Sequence, residues 1–331
     1  MKIGLIDVDG HNFVNLPLMK ISAYHKSVGH SVEWWWGLEP KYDIVYMAKV
    51  FTETYSHDSP EPHNAQRIIK GGTGYMQRNK DNLLKIYHDS AWITIPEEIC
   101  KVDTVVKNGI YYTQKLPSEI ENQYPDYSLY PDLTKNTAYG YLTRGCPKNC
   151  GYCCVSQKEG LRSVKVADLN NFWRGQKEIK LLDPNILACS EHIDLLGQII
   201  DSKAWIDFTQ GLDIKLVNDK NIELINKLKV KMLHFAWDNP DENLAPLFEN
   251  FAAKSAVKDF RKLRVYVLTN YNSTHEEDLY RIYTLSSLGF DPYVMVYDKP
   301  DAPQITRHLQ RWCNNKRIFR VAPNFDSYID K

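Results

Sequence analysis

The chain has 331 residues, 43% of them hydrophobic, which is enough for two domains or one large α/β unit with well-formed cores. Lysine plus arginine equals aspartate plus glutamate, 41 each, so no overall charge attracts nucleic acid or an anionic membrane. Seven cysteines, an odd and mostly scattered set, do not make a disulfide framework and indicate a reducing compartment.

The sequence shows no targeting segment. Met1 leads directly into a strand-like run, without the basic and apolar regions of a secretory signal. No apolar run approaches the length of about 18 residues that a membrane span needs. We therefore expect a cytoplasmic protein without a membrane partner.

Residues 1–125 have the pattern of a doubly wound parallel sheet. Apolar residues at helical spacing predict a helix over Leu16 to Val28, with Gly29 as its stop. Apolar runs ending in polar or glycine-containing loops predict four strands: Lys2–Asp7, Ser31–Trp36, Tyr42–Met47 and Arg67–Gly74. This alternation favours a Rossmann-like α/β domain.

Two loops at predicted strand ends are candidates for ligand contact. The loop after the first strand contains Asp9 and His11, and the fourth strand ends in the turn Gly71-Gly72. In parallel sheets, ligands bind outside the carboxyl ends of the strands. Further along, Ala91–Ile95 predicts a strand and Val105–Gln114 a hairpin, while residues 116–136, rich in Pro, Tyr and Asp, predict a linker.

The C-terminal region, residues 126–325, predicts six strand–helix steps. The strands are Ala138–Leu142, Ile179–Leu182, Trp205–Phe208, Lys231–Trp237, Leu263–Leu268 and Pro292–Tyr297. The polar residues at their ends are Asp183, Asn185, Gln210, Asp213, Asp238, Asn270 and Asp298. Loops at such ends build the site in α/β barrels, although a helix N-cap is the alternative role for each carboxylate.

A cysteine-rich stretch, Thr143–Ser156, follows the first of these strands. Cys146, Cys150 and Cys153 have the spacing C-x3-C-x2-C, and Tyr152 stands just before the third. Three thiolates can hold three corners of an iron–sulfur cube, whereas an ordinary electron-transfer cluster uses four. Cys154 is a poor fourth ligand because adjacent side chains of an extended chain point to opposite sides.

Two other interpretations of this stretch compete. A structural zinc site needs a fourth ligand at a usual spacing, and no downstream C-x2-C or H-x3-5-H pair exists. The remaining cysteines, Cys100, Cys189 and Cys313, are single and far apart. The other alternative is a chance group of buried thiols.

The stretch resembles the cluster motif of the radical S-adenosylmethionine (SAM) superfamily, in which an aromatic residue precedes the third cysteine. The resemblance implies a [4Fe-4S] cluster on Cys146, Cys150 and Cys153, whose open iron chelates SAM, and a (β/α)6 partial barrel of the TIM-barrel type over residues 126–325. It also implies the SAM-binding residues, which would be Tyr152, Asp183, Asn185, Gln210 and Asp238. The family's glycine-glycine-glutamate form is absent at Asp183-Pro-Asn185.

The N-terminal layout is similar to the cobalamin-binding-like Rossmann domain of two-domain members of that superfamily. Gly71-Gly72 fits that pattern, but the cobalt-ligating motif Asp-x-His-x-x-Gly is broken. Asp9 and His11 are present, while Val14 stands in the glycine's place, and His11 comes too early in the domain. Cobalamin bound without a histidine ligand and a vestigial domain that only packs on the core both remain open.

The resemblance implies reductive cleavage of SAM to start radical chemistry on an unidentified substrate. Cobalamin-assisted methyl transfer is the first hypothesis. The alternatives are an adenosyl-radical rearrangement or oxidation without cobalamin, and a non-catalytic iron–sulfur or metal-binding protein. The expected partners are a small-molecule or peptide substrate and an electron donor of flavodoxin or ferredoxin type. The basic run Gln304–Arg320 is more often a solvated helix face than a nucleic-acid surface.

Overall fold

The computed structural model describes residues 1–10, 12–39, 41–78, 83–96 and 104–329. The chain forms two compact units. The first comprises Met1–Ala138, Cys154–Glu159 and Asn170–Arg174, and the second Tyr139–Cys153, Gly160–Leu169 and Gly175–Lys331. The proposed domain boundary between residues 125 and 126 stays a prediction.

The strands, in chain order, are β1 (Lys2–Asp7), β2 (Ser31–Trp34), β3 (Tyr42–Ala48), β4 (Ala65–Gly71), β5 (Met76–Arg78), β6 (Leu84–His88), β7 (Ala91–Thr94), β8 (Thr104–Lys107), β9 (Ile110–Thr113), β10 (Thr137–Gly140), β11 (Thr143–Arg144), β12 (Val164–Lys165), β13 (Glu178–Leu181), β14 (Trp205–Phe208), β15 (Lys229–Ala236), β16 (Leu263–Thr269) and β17 (Asp291–Val296).

The α-helices are α1 (Leu16–Ser27), α2 (Ser118–Glu121), α3 (Pro131–Thr134), α4 (Val155–Glu159), α5 (His192–Ser202), α6 (Asp219–Ile225), α7 (Ala245–Lys254), α8 (His275–Ser287), α9 (Gln304–Asn314), α10 (Lys316–Val321) and α11 (Asp326–Ile329). None of the helices in the described ranges is long and apolar enough to cross a membrane.

The first unit is built on a six-stranded sheet of order β2-β1-β3-β4-β9-β8. The strands from β2 to β9 in this order pair in parallel, and β8 pairs with β9 antiparallel. Ile3 and Leu5 of β1 pack with Leu18 and Ile21 of α1, because alternate residues of a buried strand face the same helix. Parallel α/β structure was expected here and is present.

Helix α1 begins and ends where the sequence predicts. The side chain of Asn15 caps it by accepting the backbone N–H of Leu18 at 3.2 Å. Gly29, just beyond its end, has a φ of +78°, a left-handed conformation that glycine adopts without strain.

The first unit departs from the expected alternation in two places. The connection between β3 and β4, residues 49–64, contains turns and no helix, which differs from a doubly wound sheet. The predicted strand Ala91–Ile95 is found as β7, but in a separate antiparallel sheet of order β5-β6-β7. The predicted hairpin with the Asn108-Gly109 turn is confirmed as β8–β9.

The segment 116–136 is more ordered than the linker that its composition predicts. It forms α2 and α3 and is tied to α1 by charged side chains. Lys20 Nζ lies 2.7 Å from Glu121 Oε1, and Asp126 accepts from Ser22 Oγ and Lys26 Nζ, both at 2.6 Å. Tyrosine and aspartate here make specific contacts that composition does not reveal.

The six strands predicted for residues 126–325 form one sheet of order β10-β13-β14-β15-β16-β17, and all but the first two residues of β10 belong to the second unit. The pairs from β13 to β17 are parallel, and each of these strands is followed by one of the helices α5 to α9. Trp205–Phe208 coincides with its prediction, and the other strands begin or end within two residues of theirs.

The two faces of this sheet differ in polarity. Phe235 of β15 packs against Phe248 and Phe251 of α7, with ring centroids 6.0 and 5.1 Å away. The preceding residue, His234, points to the opposite face, because side chains alternate along a strand. There it stacks on Tyr266 with centroids 5.3 Å apart. One face is therefore a helix-covered core, and the other carries polar groups.

Candidate functional site

The cysteine loop leaves the sheet after β10 and passes through β11, which pairs antiparallel with β12. Cys146, Cys150 and Cys153 are half-buried, whereas Cys154 is exposed. The N–H of Cys146 donates to the carbonyl of Gly160 at 3.1 Å, and that of Cys153 to the carbonyl of Cys150 at 3.0 Å. The backbone therefore fixes both ends of the motif.

Two glycines allow close packing of this loop. Gly145 has a φ of +86°, and a Cβ there would lie 2.1 Å from the carbonyl oxygen of Arg162. A Cβ on Gly151 would lie 2.4 Å from the hydroxyl of Tyr271. Gly145 is required if the loop keeps this path, because its neighbour is a backbone oxygen and its φ is positive, whereas a larger residue at 151 would displace the Tyr271 hydroxyl.

The three thiols do not form a site for a single metal ion. Over the described ranges, no group of three or more His, Cys, Asp or Glu side chains is placed to hold one ion. A tetrahedral zinc site brings all its ligands onto one atom, whereas an iron–sulfur cube binds each thiolate through a different iron. Half-buried thiols spread along one loop suit the second kind of ligand set.

Asp183 is buried where β13 ends and holds the entrance to the loop. Its carboxylate accepts the N–H of Leu142 at 3.1 Å, and the N–H and hydroxyl of Thr143 at 2.5 and 2.7 Å. Burial raises its pKa to about 6 despite these hydrogen bonds. Asp183 thus anchors the backbone ahead of Cys146 instead of capping the short helical turn that follows.

Asn185, two residues further, is only 3% exposed and contacts the first cysteine. Its Nδ2 lies 3.9 Å from the Sγ of Cys146. Its Oδ1 is buried and has no hydrogen-bond partner. Buried polar atoms are normally paired, so this oxygen is an open acceptor beside the cysteine loop.

Tyr152 and Asp238 meet at the opposite side of the loop. The tyrosine hydroxyl donates to Asp238 Oδ2 at 2.7 Å. Burial raises the pKa of both groups, and the neighbouring Asp238 raises that of Tyr152 further. Tyr152 also interacts with Cys150 and packs edge-on against Tyr271 at 5.3 Å. A hydrogen bond therefore joins the cysteine loop to the second residue after β15, a contact that the sequence did not predict.

Arg281 of α8 supports this end of β15, and sequence reasoning missed it. The guanidinium, 1% exposed, donates to the carbonyls of Trp237, Asp238 and Leu268 at 2.7 to 3.1 Å. It also pairs with Asp278 at 2.5 Å. A lone arginine in an amphipathic helix gives no signal of this role, because most such residues are solvated.

The other predicted strand-end residues are less central. Gln210 is exposed. Lys148, inside the loop, forms an ion pair with Asp213, with 3.0 Å between Nζ and Oδ2. The angles at these atoms do not make the contact a hydrogen bond. Asn270 and Asp298 have positive φ values and lie at strand ends as turn residues.

In the first unit, the turn Gly71-Gly72 packs against the backbone of Lys49. Gly72 has a φ of +101°, and a Cβ there would lie 2.2 Å from the carbonyl oxygen of Lys49. Gly71 is in ordinary contact with Thr113. The turn therefore allows a close approach of residue 49, and both of its glycines are half-exposed. His11 lies outside the described residues.

The loop after β1 contacts a cavity in the first unit. This cavity, about 400 Å³, is lined by Asp7, Gly10, Trp34, Tyr130 and neighbouring residues of α3. The hydroxyl of Tyr130 donates to Asp7, whose pKa burial raises. Asp9 is 4% exposed, accepts the N–H of Val50, and has its Oδ1 unpaired. The volume is in the range of small-ligand sites.

No protein-family model and no curated protein matches this sequence. Solved structures with a similar fold include a radical SAM methyltransferase. A structure of TsrM from Kitasatospora setae, a radical SAM methyltransferase with cobalamin and a [4Fe-4S] cluster bound, is 12% identical, with a TM-score of 0.40. The alignment covers 88% of this chain and 66% of that one, so the chain spans just under two thirds of that neighbour.

A second neighbour is Streptococcus suis SuiB. Its structure bound to S-adenosylmethionine is 11% identical and has a TM-score of 0.37, with coverage of 65% of this chain and 53% of that one. Its structure bound to the precursor peptide SuiA is 12% identical and has a TM-score of 0.39, with coverage of 69% and 56%. Because these TM-scores and sequence identities are low, we infer the function from the residues of this chain alone.

Proposed function

We propose that the protein is a radical SAM enzyme that holds a [4Fe-4S] cluster on Cys146, Cys150 and Cys153. The observation that carries this proposal is the half-buried C-x3-C-x2-C loop directly after β10, the first strand of a six-stranded sheet in chain order. It is supported by side chains from two later strand ends, which contact the loop at Cys146 and Tyr152.

When bound, a reduced cluster with one open iron supplies the electron that cleaves SAM to methionine and a 5′-deoxyadenosyl radical. The residues of this chain then have separate tasks. Asp183 fixes the backbone before Cys146, while Tyr152 and Asp238 fix the far side of the loop. We assign the SAM ammonium to the open oxygen of Asn185 and the ribose hydroxyls to Asp238, with Gln210 at the rim.

The proposed architecture is a Rossmann-like domain over residues 1–125 and a (β/α)6 partial barrel over residues 126–325. The proposed partners are a peptide or small-molecule substrate and an electron donor of flavodoxin or ferredoxin type. Methyl transfer with cobalamin is the first reaction to test, and adenosyl-radical rearrangement or oxidation is the second.

Anaerobic reconstitution tests the enzyme proposal. The wild-type protein should take up iron and sulfide and, with SAM and dithionite, form 5′-deoxyadenosine. Cys150→Ala should lose both the cluster and SAM cleavage, while the matched control Cys154→Ala, an exposed neighbour, should keep them. A full cluster in Cys150→Ala would show that the ligands are misassigned, and a wild-type cluster without SAM cleavage would favour a non-catalytic iron–sulfur protein.

Cobalamin binding needs its own measurement. Purified protein is incubated with hydroxocobalamin, desalted and scanned for corrin absorbance. Retained absorbance at one corrin per chain supports the methyltransferase class. Loss of all absorbance directs attention to adenosyl-radical chemistry and leaves the cluster proposal intact.

A further inference from the structure

Asn185 presents two different atoms to its surroundings. Its Nδ2 is 3.9 Å from Cys146 Sγ, and its Oδ1 is buried without a partner. The residue is held firmly, because its backbone carbonyl accepts from Ser163 Oγ at 2.9 Å and its side chain is buried. One rigid amide therefore lies between a cysteine sulfur and an open acceptor position.

The orientation of this amide follows from its chemistry. The reversed orientation would place Oδ1 against the sulfur, and two electron-rich atoms repel each other once Cys146 is a thiolate. With Nδ2 toward the sulfur, an N–H can donate to it, which is a charge-assisted hydrogen bond. The carbonyl oxygen is then turned away from the sulfur and remains free to accept.

A hydrogen bond to a ligating sulfur stabilises the reduced cluster, which carries one more electron, more than it stabilises the oxidised cluster. Such bonds are among the factors that set the reduction potential of iron–sulfur clusters. The donor at Asn185 is therefore expected to raise the potential of a cluster on Cys146. A donor from a bound ligand to Oδ1 would polarise the amide and strengthen the bond from Nδ2, because hydrogen bonds in a chain reinforce each other.

We propose that Asn185 is a positioning residue that couples ligand binding at the open iron to the reduction potential of the cluster. This inference rests on the proposed function. By linkage, a ligand that raises the potential through Asn185 must bind more tightly to the reduced protein by the same factor. The amide would thus favour electron uptake when SAM is present.

The test is a mediated redox titration of reconstituted protein, monitored by the EPR signal of the reduced cluster, without and with SAM. Asn185→Leu, of similar size but without donor or acceptor, should lower the potential. A tenfold weaker stabilisation of the reduced state corresponds to about 59 mV for one electron. The shift caused by SAM should also be smaller than in the wild type. Asn272→Leu, at an exposed amide after β16, should match the wild type.

The outcomes separate this inference from the proposed function. Asn185→Leu with a full cluster, wild-type potential and wild-type SAM shift overturns the coupling role and leaves the enzyme proposal standing. A wild-type protein without iron overturns both. If the leucine variant takes up no cluster, Asn185→Asp decides, since it keeps the shape and replaces the donor by an acceptor. Because the carboxylate charge lowers the potential by itself, the shift caused by SAM is compared instead. A shift smaller than that of the wild type supports the proposal, and an unchanged shift contradicts it.

Discussion

At the residue scale, burial sets the protonation of two carboxyl groups in the second unit, Asp183 and Asp207. Asp183 and Asp207 are both buried in the second unit, and burial raises the pKa of each to about 6. Asp183 accepts backbone N–H groups that order the cysteine loop. Asp207, in β14, has an oxygen 3.5 Å from His234 Nδ1 and no hydrogen bond to that oxygen.

Asp207 and His234 have opposite effects on the pH dependence of stability. The pKa of Asp207 is raised from 3.8 to about 6, so the folded protein binds more protons between these values and loses stability as the pH rises. Burial lowers the pKa of His234 from 6.5 to about 4, so its contribution to stability grows as the pH rises through the same window. The two effects largely cancel.

In Asp207→Asn, the effect of His234 on the pH dependence of stability should therefore no longer be offset. We expect its stability relative to the wild type to increase between pH 4 and pH 7, by up to about 3 kcal/mol, since one pKa unit is about 1.4 kcal/mol. Urea denaturation at intervals from pH 4.5 to 7.5 measures this. A constant difference between the two proteins at every pH would mean that the pKa of Asp207 is ordinary.

At the element scale, Arg281 connects α8 to the ends of β15 and β16. Arg281→Met keeps the length of the side chain but leaves the carbonyls of Trp237 and Leu268 and the carboxylate of Asp278 without their donor. We expect a loss of about 3–5 kcal/mol in the free energy of unfolding, as for a broken buried ion pair. Guanidinium chloride denaturation measures it.

The control is an arginine pair of similar geometry at the surface. Arg261 lies 2.8 Å from Asp259 but is 71% exposed, so Arg261→Met should cost less than about 1 kcal/mol. Equal losses in the two variants would show that the Arg281 network contributes no more than a surface ion pair does.

The same elements show what the sequence can predict. The strands of the second unit were predictable because each is an apolar run bounded by polar ends, as at Trp205–Phe208. The contact between Asn185 and Cys146 joins residues 39 positions apart, and Arg281 lies 44 positions from Trp237. Such pairs depend on the packing of whole elements, which local patterns do not encode.

The first unit was harder to predict for a physical reason. The connection over residues 49–64 has few apolar residues at helical spacing and is held instead by charge. Lys49 and Lys70 are buried, and they pair with Glu53 at 2.5 Å and Glu61 at 2.8 Å. A lysine in a sequence normally indicates a solvent-exposed position. A connection that is stabilised by buried lysines therefore has no sequence pattern from which its structure could be predicted.

At the scale of the whole molecule, the distribution of thiols predicts the metal content. Apart from the loop, the described residues contain Cys189 and Cys313, which are buried and far apart in sequence. Burial raises the pKa of both thiols, that of Cys313 to about 12, so neither readily forms the thiolate that iron requires. For the described cysteines we therefore predict one cluster, on the loop; Cys100 lies outside the described residues.

We therefore expect about four irons and four sulfides per chain after reconstitution, as one [4Fe-4S] cluster requires. Cys189→Ala and Cys313→Ala should keep this content, because both thiols are buried and contact Glu191 and the carbonyl of Pro292, respectively. The triple variant Cys146→Ala, Cys150→Ala and Cys153→Ala should bind almost none. Iron and acid-labile sulfide assays on the wild type and the three variants measure this directly. About eight irons in the wild type, or a loss of iron in Cys189→Ala with the fold intact, would place a second cluster outside the loop.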